Sequence, residues 1–308
     1  MFAFLATSTV FSRRSVNSEL KAQVSLVRAS VILLLILAGM VAGCSKNMEA
    51  TLALGKQHAE KLAAIARQDV NEVRQGLPLG APHLATLFQS ETPPGDDLAA
   101  VREALGKARD KVQNLRVAPS TFFAVTDADG RVLRTDQEVD RMAGKGIFSS
   151  FPDLKAALKG RYVECRGAMP EAAGVNGKPD GQWVAGYPVL VDGSPRGIYV
   201  TGWSWSGYAF RLENTLRDAV KSKLMEEGQG KMPLLYVYLV VDKEVFGAPV
   251  APQVNADAIK KASPLSHLKG RDTLTLAMTI AGRDFGLAVI AAPELGNRVA
   301  VAVLRSET

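Results

Sequence analysis

GQWVAGYPVLVDGSPRGIYVTGW, residues 181–203, decides the fold. Apolar, aromatic and β-branched residues fill both halves, and Asp192-Gly193 stands between them. Asp-Gly flanked by such runs is a strong signal for a hairpin with a tight turn. Side chains alternate along a strand. Trp183, Ala185 and Tyr187 therefore share one face, and Tyr199, Thr201 and Trp203 share one face of the next strand. RYVECRGA, just upstream, reads as a third strand of the same meander. Further upstream, STFFAVTD and RVLRTD read as two short strands around Asp127-Ala128-Asp129-Gly130. This turn lacks the further oxygen donors and closing Glu of a calcium loop, so it is read as a turn. FPDLKAALKG (Phe151–Gly160) reads as a short helix stopped by glycine.

The pattern then recurs. LLYVYLVVD and EVFGAPV give two strands, and NADAIKKA gives a helix that Asn255 would cap. DTLTLAMTIAG, RDFGLAVIAAPE and NRVAVAVLRS give three more strands. GRDFGLAVIAAPELGNRVAVAVL has the shape of the opening stretch, a strand, a turn and a strand, with few identities. It is read as a diverged duplication of one α+β unit. Between the units, Ser206–Gly228 is a long helix with Phe210, Leu216, Ala219, Val220 and Leu224 available to bury. Before the first unit, Leu62, Ile65, Ala66, Val70 and Val73 mark a helical face. Gly76–Gly95, with four prolines, is a loop or broken helix. Asp96 or Asp97 then caps a second helix whose face is Leu98, Val101, Leu105, Ala108, Val112 and Leu115.

FFAVTDADGRVLRTD, FPDLKAALKG and WVAGYPVLVDGSPRGIYVTGW together resemble the extracytoplasmic Cache domain, a relative of PAS. The resemblance implies a long N-terminal helix and an antiparallel sheet of strand order 2-1-5-4-3, with ligands between the sheet and its covering helices. The expected fold class is α+β: N-terminal helices followed by two PAS/Cache-like units, each an antiparallel five-stranded sheet with covering helices. The expected divisions are a signal segment 1–43, helices 44–118, a first domain 119–205, a connecting helix 206–232 and a second domain 233–308. Cache domains usually precede a membrane span and a transmitter module. Here the chain ends soon after the last strand, so any signal is expected to pass to a separate protein.

The compartment is read from ILLLILAGMVAGCSKN (Ile32–Asn47). The apolar run from Val31 to Gly43 is 13 residues long, short of the roughly 20 that a spanning helix needs. It has the length of a secretion-signal core, with Arg28 just before it. Val41-Ala42-Gly43-Cys44 resembles the bacterial lipobox, which implies cleavage before Cys44 and lipidation of that residue. Ser45, where an aspartate would favour inner-membrane retention, points to the outer membrane facing the periplasm. Half of the formal charge of +6 lies before Cys44. The remainder is spread out without a basic cluster, so no nucleic-acid partner is expected. Cys165 is left without a partner cysteine and reads as a small semi-buried strand residue.

A Cache-type pocket would draw on Trp183, Tyr187, Tyr199, Thr201 and Trp203, aromatic rings with polar tips suited to a small organic ligand. Arg134, Asp136 and Arg141 would meet a carboxylate or amine. The same aromatics would equally serve as the filling of a sheet core. No catalytic residue, metal site or cofactor is read. His58, His83 and His267 are scattered, with His58 and His267 placed at the surface, and GWSWSG has Ser206 where a nucleophile elbow needs glycine. The chain is thus expected to be a lipid-anchored sensor or binding module with a small-molecule ligand and a membrane protein partner, or else an assembly lipoprotein whose units dock proteins. Residues 1 to about 23 exceed a usual signal, and Val24 is a plausible alternative start. N-terminal mapping of the unprocessed precursor is expected to begin at Val24; recovery of residues 1–23 would refute the later start.

Overall fold

The computed structural model describes residues 14–89, 94, 96–169, 181–228, 231–268 and 271–307, with side-chain surroundings from Asn47 onward. The lipobox, Cys44 and Ser45 lie outside those described surroundings. Contacts divide the chain into Met1–Ala50 and Thr51–Thr308, and both sheets belong to the second unit.

Helix α1 is Arg14–Gly80. From Ala59 to Leu77 its fully enclosed apolar side chains are Ala59, Leu62, Ala66, Val70, Val73 and Leu77. They step by three and four, the repeat of one helical face. The helix runs through Pro78 to Gly80 and then tightens into a 3₁₀ helix, Ala81–Phe88. Leu77, Ala81 and Leu84 stay buried across this change, so packing outweighs the hydrogen bond that Pro78 cannot donate. Gly76 and Gly80 permit a close approach here. A Cβ at Gly76 would lie 2.5 Å from Leu115 Cδ2, and one at Gly80 would lie 2.8 Å from Tyr199 Cε1. Helix α2, Leu98–Lys111, is capped by Asp97, whose side chain accepts from the Ala100 amide at 2.9 Å. Helix α3, Gln113–Val117, follows. Val101, Leu105, Ala108, Val112 and Leu115 are buried, whereas Leu98 is exposed.

The first sheet contains β1 (Phe122–Asp127), β2 (Val132–Thr135), β3 (Val163–Ala168), β4 (Gly181–Val191) and β5 (Ser194–Ser204). Its order is β2-β1-β5-β4-β3, every pair antiparallel. Asp192 and Gly193 turn with φ of 51° and 77°, as the Asp-Gly signal requires. Helix α4, Trp205–Glu226, starts on Ser204, whose hydroxyl accepts from the Gly207 amide at 3.1 Å. Its buried face is Trp205, Tyr208, Ala209, Leu212, Glu213, Leu216 and Val220. Phe210, expected inside, is 44% exposed because the face turns about Tyr208 and Leu212.

The second sheet contains β6 (Leu235–Val241), β7 (Glu244–Gly247), β8 (Thr273–Ile280), β9 (Arg283–Ala291) and β10 (Val299–Ser306), in the order β7-β6-β10-β9-β8. This is the first sheet's order repeated. The fold is α+β, an N-terminal helix with two antiparallel five-stranded sheets. Helix α5, Gln253–Ala262, takes Pro252 as its first flanking residue. Asn255 is therefore buried inside the first turn rather than capping it.

One apolar layer joins both sheets. It holds the α1 stripe, Leu105 and Leu115, the Trp183, Tyr199 and Trp203 face, Leu212 and Leu216 of α4, and Val237, Leu239, Val301 and Val303. The opposite faces have separate cores, around Phe122, Phe151 and Val184 in the first sheet and around Tyr238, Phe285 and Leu287 in the second. Among the described residues no helix is long and apolar enough to cross a membrane. Asp97→Ala is expected to cost about 1 kcal/mol by urea denaturation, with Asp97→Ser close to wild type; equal loss in both variants would contradict the capping role.

Candidate functional site

Strand register brings the sequence-marked aromatics together. Trp183 lies opposite Trp203, Ala185 opposite Thr201, and Tyr187 opposite Tyr199. The Trp183 and Trp203 rings stack with centroids 4.3 Å apart, and Tyr208 of α4 stacks on Trp203 at 4.8 Å. Phe123 of β1 lies 5.8 Å from Tyr199. Trp183, Tyr199, Thr201 and Trp203 are at most 2% exposed, and Tyr187 is half-buried. The Thr201 hydroxyl donates to the Phe122 carbonyl at 2.8 Å. The helices fill the face: Leu77, Leu115, Tyr208 and Leu212 belong to the same layer. These residues form a packed wall, and Trp183 at its edge also lines a cavity.

The three charged candidates separate. Asp136 sits at the edge of this layer, accepting from the Phe123 amide at 2.8 Å and from Arg109 Nη1 at 3.3 Å. Burial raises its carboxyl above the usual range, opposed by the Phe123 amide and by the Arg109 charge. Arg134 turns to Asp140, with Nε 3.5 Å from Oδ2. Asp140 also accepts from the amides of Thr135, Met142 and Ala143, and so organises the loop after β2. Arg141 is exposed.

Sequence reading missed the residues that fasten α4 beneath this wall. Tyr208 donates to Asp69 Oδ2 at 2.7 Å, and Arg211 Nη1 reaches the same oxygen at 2.5 Å. Burial raises the Asp69 carboxyl, with the Tyr208 hydroxyl and the Arg211 charge opposing. No local pattern pairs residues 139 positions apart.

It also missed a cleft at the junction of the two sheets. A cavity of about 730 Å³ opens there between β3 and β4 on one side and β6 and β7 on the other. Trp183, Trp205 and Phe246 give it aromatic surface, and Glu164, Arg166 and Asp242 give it charge. Arg166 Nη1 lies 3.4 Å from Asp242 Oδ2, and Arg298 Nε lies 3.0 Å from Oδ1 of the same carboxylate. Glu164 is held by Arg74 at 2.6 Å and by the Tyr162 hydroxyl at 2.8 Å. Cys165 also lines the cleft. Burial, ahead of the Asp153 charge, pushes its thiol up to about 12, so it remains a protonated, poorly nucleophilic group. The signal for the cleft was the unused half of GWSWSG, Trp205. A second cavity of about 840 Å³ lies beside the β1–β2 turn, lined by Phe88, Asp127, Arg131, Leu133 and Arg196 among others. Among the described residues no group of three or more metal-binding side chains occurs. His267 is exposed, as expected, but His58 is half-buried.

No protein-family model and no curated protein matches the chain. Solved structures do match its fold. The extracellular domain of the histidine kinase vpHK1S-Z8 superposes with a TM-score of 0.58 at 10% identity, covering 85% of this chain and 93% of that one. A domain of a sensory box/GGDEF family protein from Vibrio parahaemolyticus gives 0.56 at 10% identity, covering 85% and 98%. An extracellular ligand binding receptor from Desulfohalobium retbaense gives 0.51 at 10% identity, covering 82% of this chain and 40% of that one. At such identities the likeness is one of fold: the chain has the two-sheet architecture of Cache/PAS-like sensor domains.

A core wall and a pocket wall respond differently to truncation. Trp203→Ala is expected to cost about 3–5 kcal/mol in urea denaturation, the loss for a large buried aromatic; a cost under about 1 kcal/mol would show that the ring lines open space instead.

Proposed function

We propose that this chain is a lipid-anchored extracytoplasmic sensor that binds a small organic molecule and acts through a separate membrane protein. The observation that carries this reading is the fold likeness, which runs the length of two sensory domains, 93% and 98% of those chains. The lipobox resemblance supports anchoring through Cys44, and Ser45 supports the outer membrane as the site.

The ligand is placed in the cleft between the sheets, because the aromatic face expected to bind is packed by α1, α3 and α4 side chains. In the cleft, rings offer apolar and cation-facing surface. The Arg166–Asp242–Arg298 chain offers charge of both signs. A molecule seated there would touch both sheets at once, so binding would change how one sheet is held against the other. That is the differential contact a sensor needs.

The assembly reading gains from the packed aromatic face, which needs no ligand. It loses from α2, whose apolar face is buried in the chain's own core and is not free for a partner.

The deciding experiment is a thermal-shift screen against amino acids, carboxylates, amines and purines. A ligand at about 100 times its Kd is expected to raise Tm by about 5–10 °C. Phe246→Ala, at a half-buried position on the cleft wall, is expected to abolish the shift while the fold persists. A panel without hits would favour assembly, and a hit unaffected by Phe246→Ala would move the site elsewhere.

A further inference from the structure

The protein pairs its inward-reaching arginines. Arg74 meets Glu164, Arg109 meets Asp136, Arg211 meets Asp69, and Arg217 meets Glu213. Arg305 on β10 breaks the pattern. It is only 7% exposed, and its Nε has no hydrogen-bond partner among the described residues. No carboxylate lies within ion-pair distance of it among those residues. Burial alone lowers its affinity for a proton. Two places along β10, Val301 and Val303 belong to the layer that faces α1, and strand alternation puts Arg305 on the same side.

The surroundings add positive charge. His58 of α1 is half-buried, and its Nδ1 is buried without a partner among the described residues. Burial first, then the charges of Arg305, Lys223 and Lys61, push the imidazole down to about 4. At neutral pH it is therefore uncharged, within electrostatic reach of Arg305 on β10, Lys223 on α4 and Lys61 on α1. Lys223 itself lies 3.7 Å from Glu227 in an exposed pair, which is a weak contact. A buried guanidinium with no counter-charge is costly to the fold. That cost falls when an anion completes the group, and the planar guanidinium suits phosphate oxygens two at a time.

We propose that the junction of α1, α4 and β10 is a binding site for a phosphate group, held by Arg305 and His58 with Lys61 and Lys223 at its mouth. Phosphate is the class that fits, because it carries up to two negative charges and several acceptors against three cations. The source is either free phosphate or its small esters, or the headgroup of an anionic phospholipid. This site is separate from the cleft between the sheets and does not depend on it.

The test follows the His58 ring by NMR in the full chain in non-ionic detergent. Inorganic phosphate is expected to shift the His58 signal saturably. Arg305→Met is expected to weaken the response at least tenfold. It is also expected to raise Tm in phosphate-free buffer, because an unpaired buried charge has been removed. Lys61→Gln with Lys223→Gln, both at exposed positions, guards against misfolding of the first variant and is expected to weaken binding about 5–10-fold. A parallel arm adds phosphatidylglycerol or phosphatidylcholine vesicles. A shift with phosphatidylglycerol alone assigns the headgroup, and a shift with inorganic phosphate assigns the free anion. If neither moves His58, or if the shift survives in Arg305→Met and in the double lysine variant, the site does not exist.

Discussion

One stripe of apolar side chains on α1 holds the rest in place. Ala59, Leu62, Ala66, Val70, Val73 and Leu77 cover about 27 Å of helix at 1.5 Å per residue. That length is enough to lie against two sheets in succession. The layer it forms contains side chains of β1, β4 and β5 from one sheet and of β6 and β10 from the other. Two small sheets, each with a modest core of its own, thereby share a larger one. Helix α4 makes the second attachment, through Tyr208 and Arg211 on Asp69. The polar fastening works because all the partners are satisfied together; a lone buried Asp69 would be costly.

What could be read from the sequence was local. The hairpins at Asp127–Gly130 and Asp192-Gly193, the strand alternation and the Asp97 cap depend on neighbours within a few residues. Even the shared face of Trp183, Tyr187, Tyr199 and Trp203 follows from alternation and a two-residue turn. What could not be read was what covers that face. Tyr208, Leu77 and Leu115 come from three different helices, and their arrival decides between wall and pocket. Asn255 failed because its helix begins two residues earlier, at Gln253, and Phe210 failed for a different reason. A shift of one residue around a helix exchanges inside for outside, and nothing local fixed that rotation. His58 looked like a surface residue on a polar helix until the last strand was seen beneath it.

The two sheets repeat a strand order but not a use. The first places its aromatics in the layer shared with the helices. The second fills the equivalent layer with Val237, Leu239, Val301 and Val303, smaller side chains that let α1 lie close. Gly55 shows how close, since a Cβ there would come within 3.5 Å of Ala288. Where the sheets adjoin, charge replaces apolar packing, and Asp242 is shared between Arg166 and Arg298. Such exposed pairs are weak individually, so they add little to the apolar layer that joins the sheets.

The position of β10 has a consequence for synthesis. It lies between β6 and β9 at the heart of its sheet, yet it is made after both of them. Until Ser306 has been made, β6 and β9 have nothing between them, and half of the α1 stripe waits without its counterpart. Contacts between α1 and the late strands join residues as far apart as Gly55 and Ala288, and pairings of such separation form slowly. A chain interrupted before β10 carries an apolar helix face with part of its cover missing.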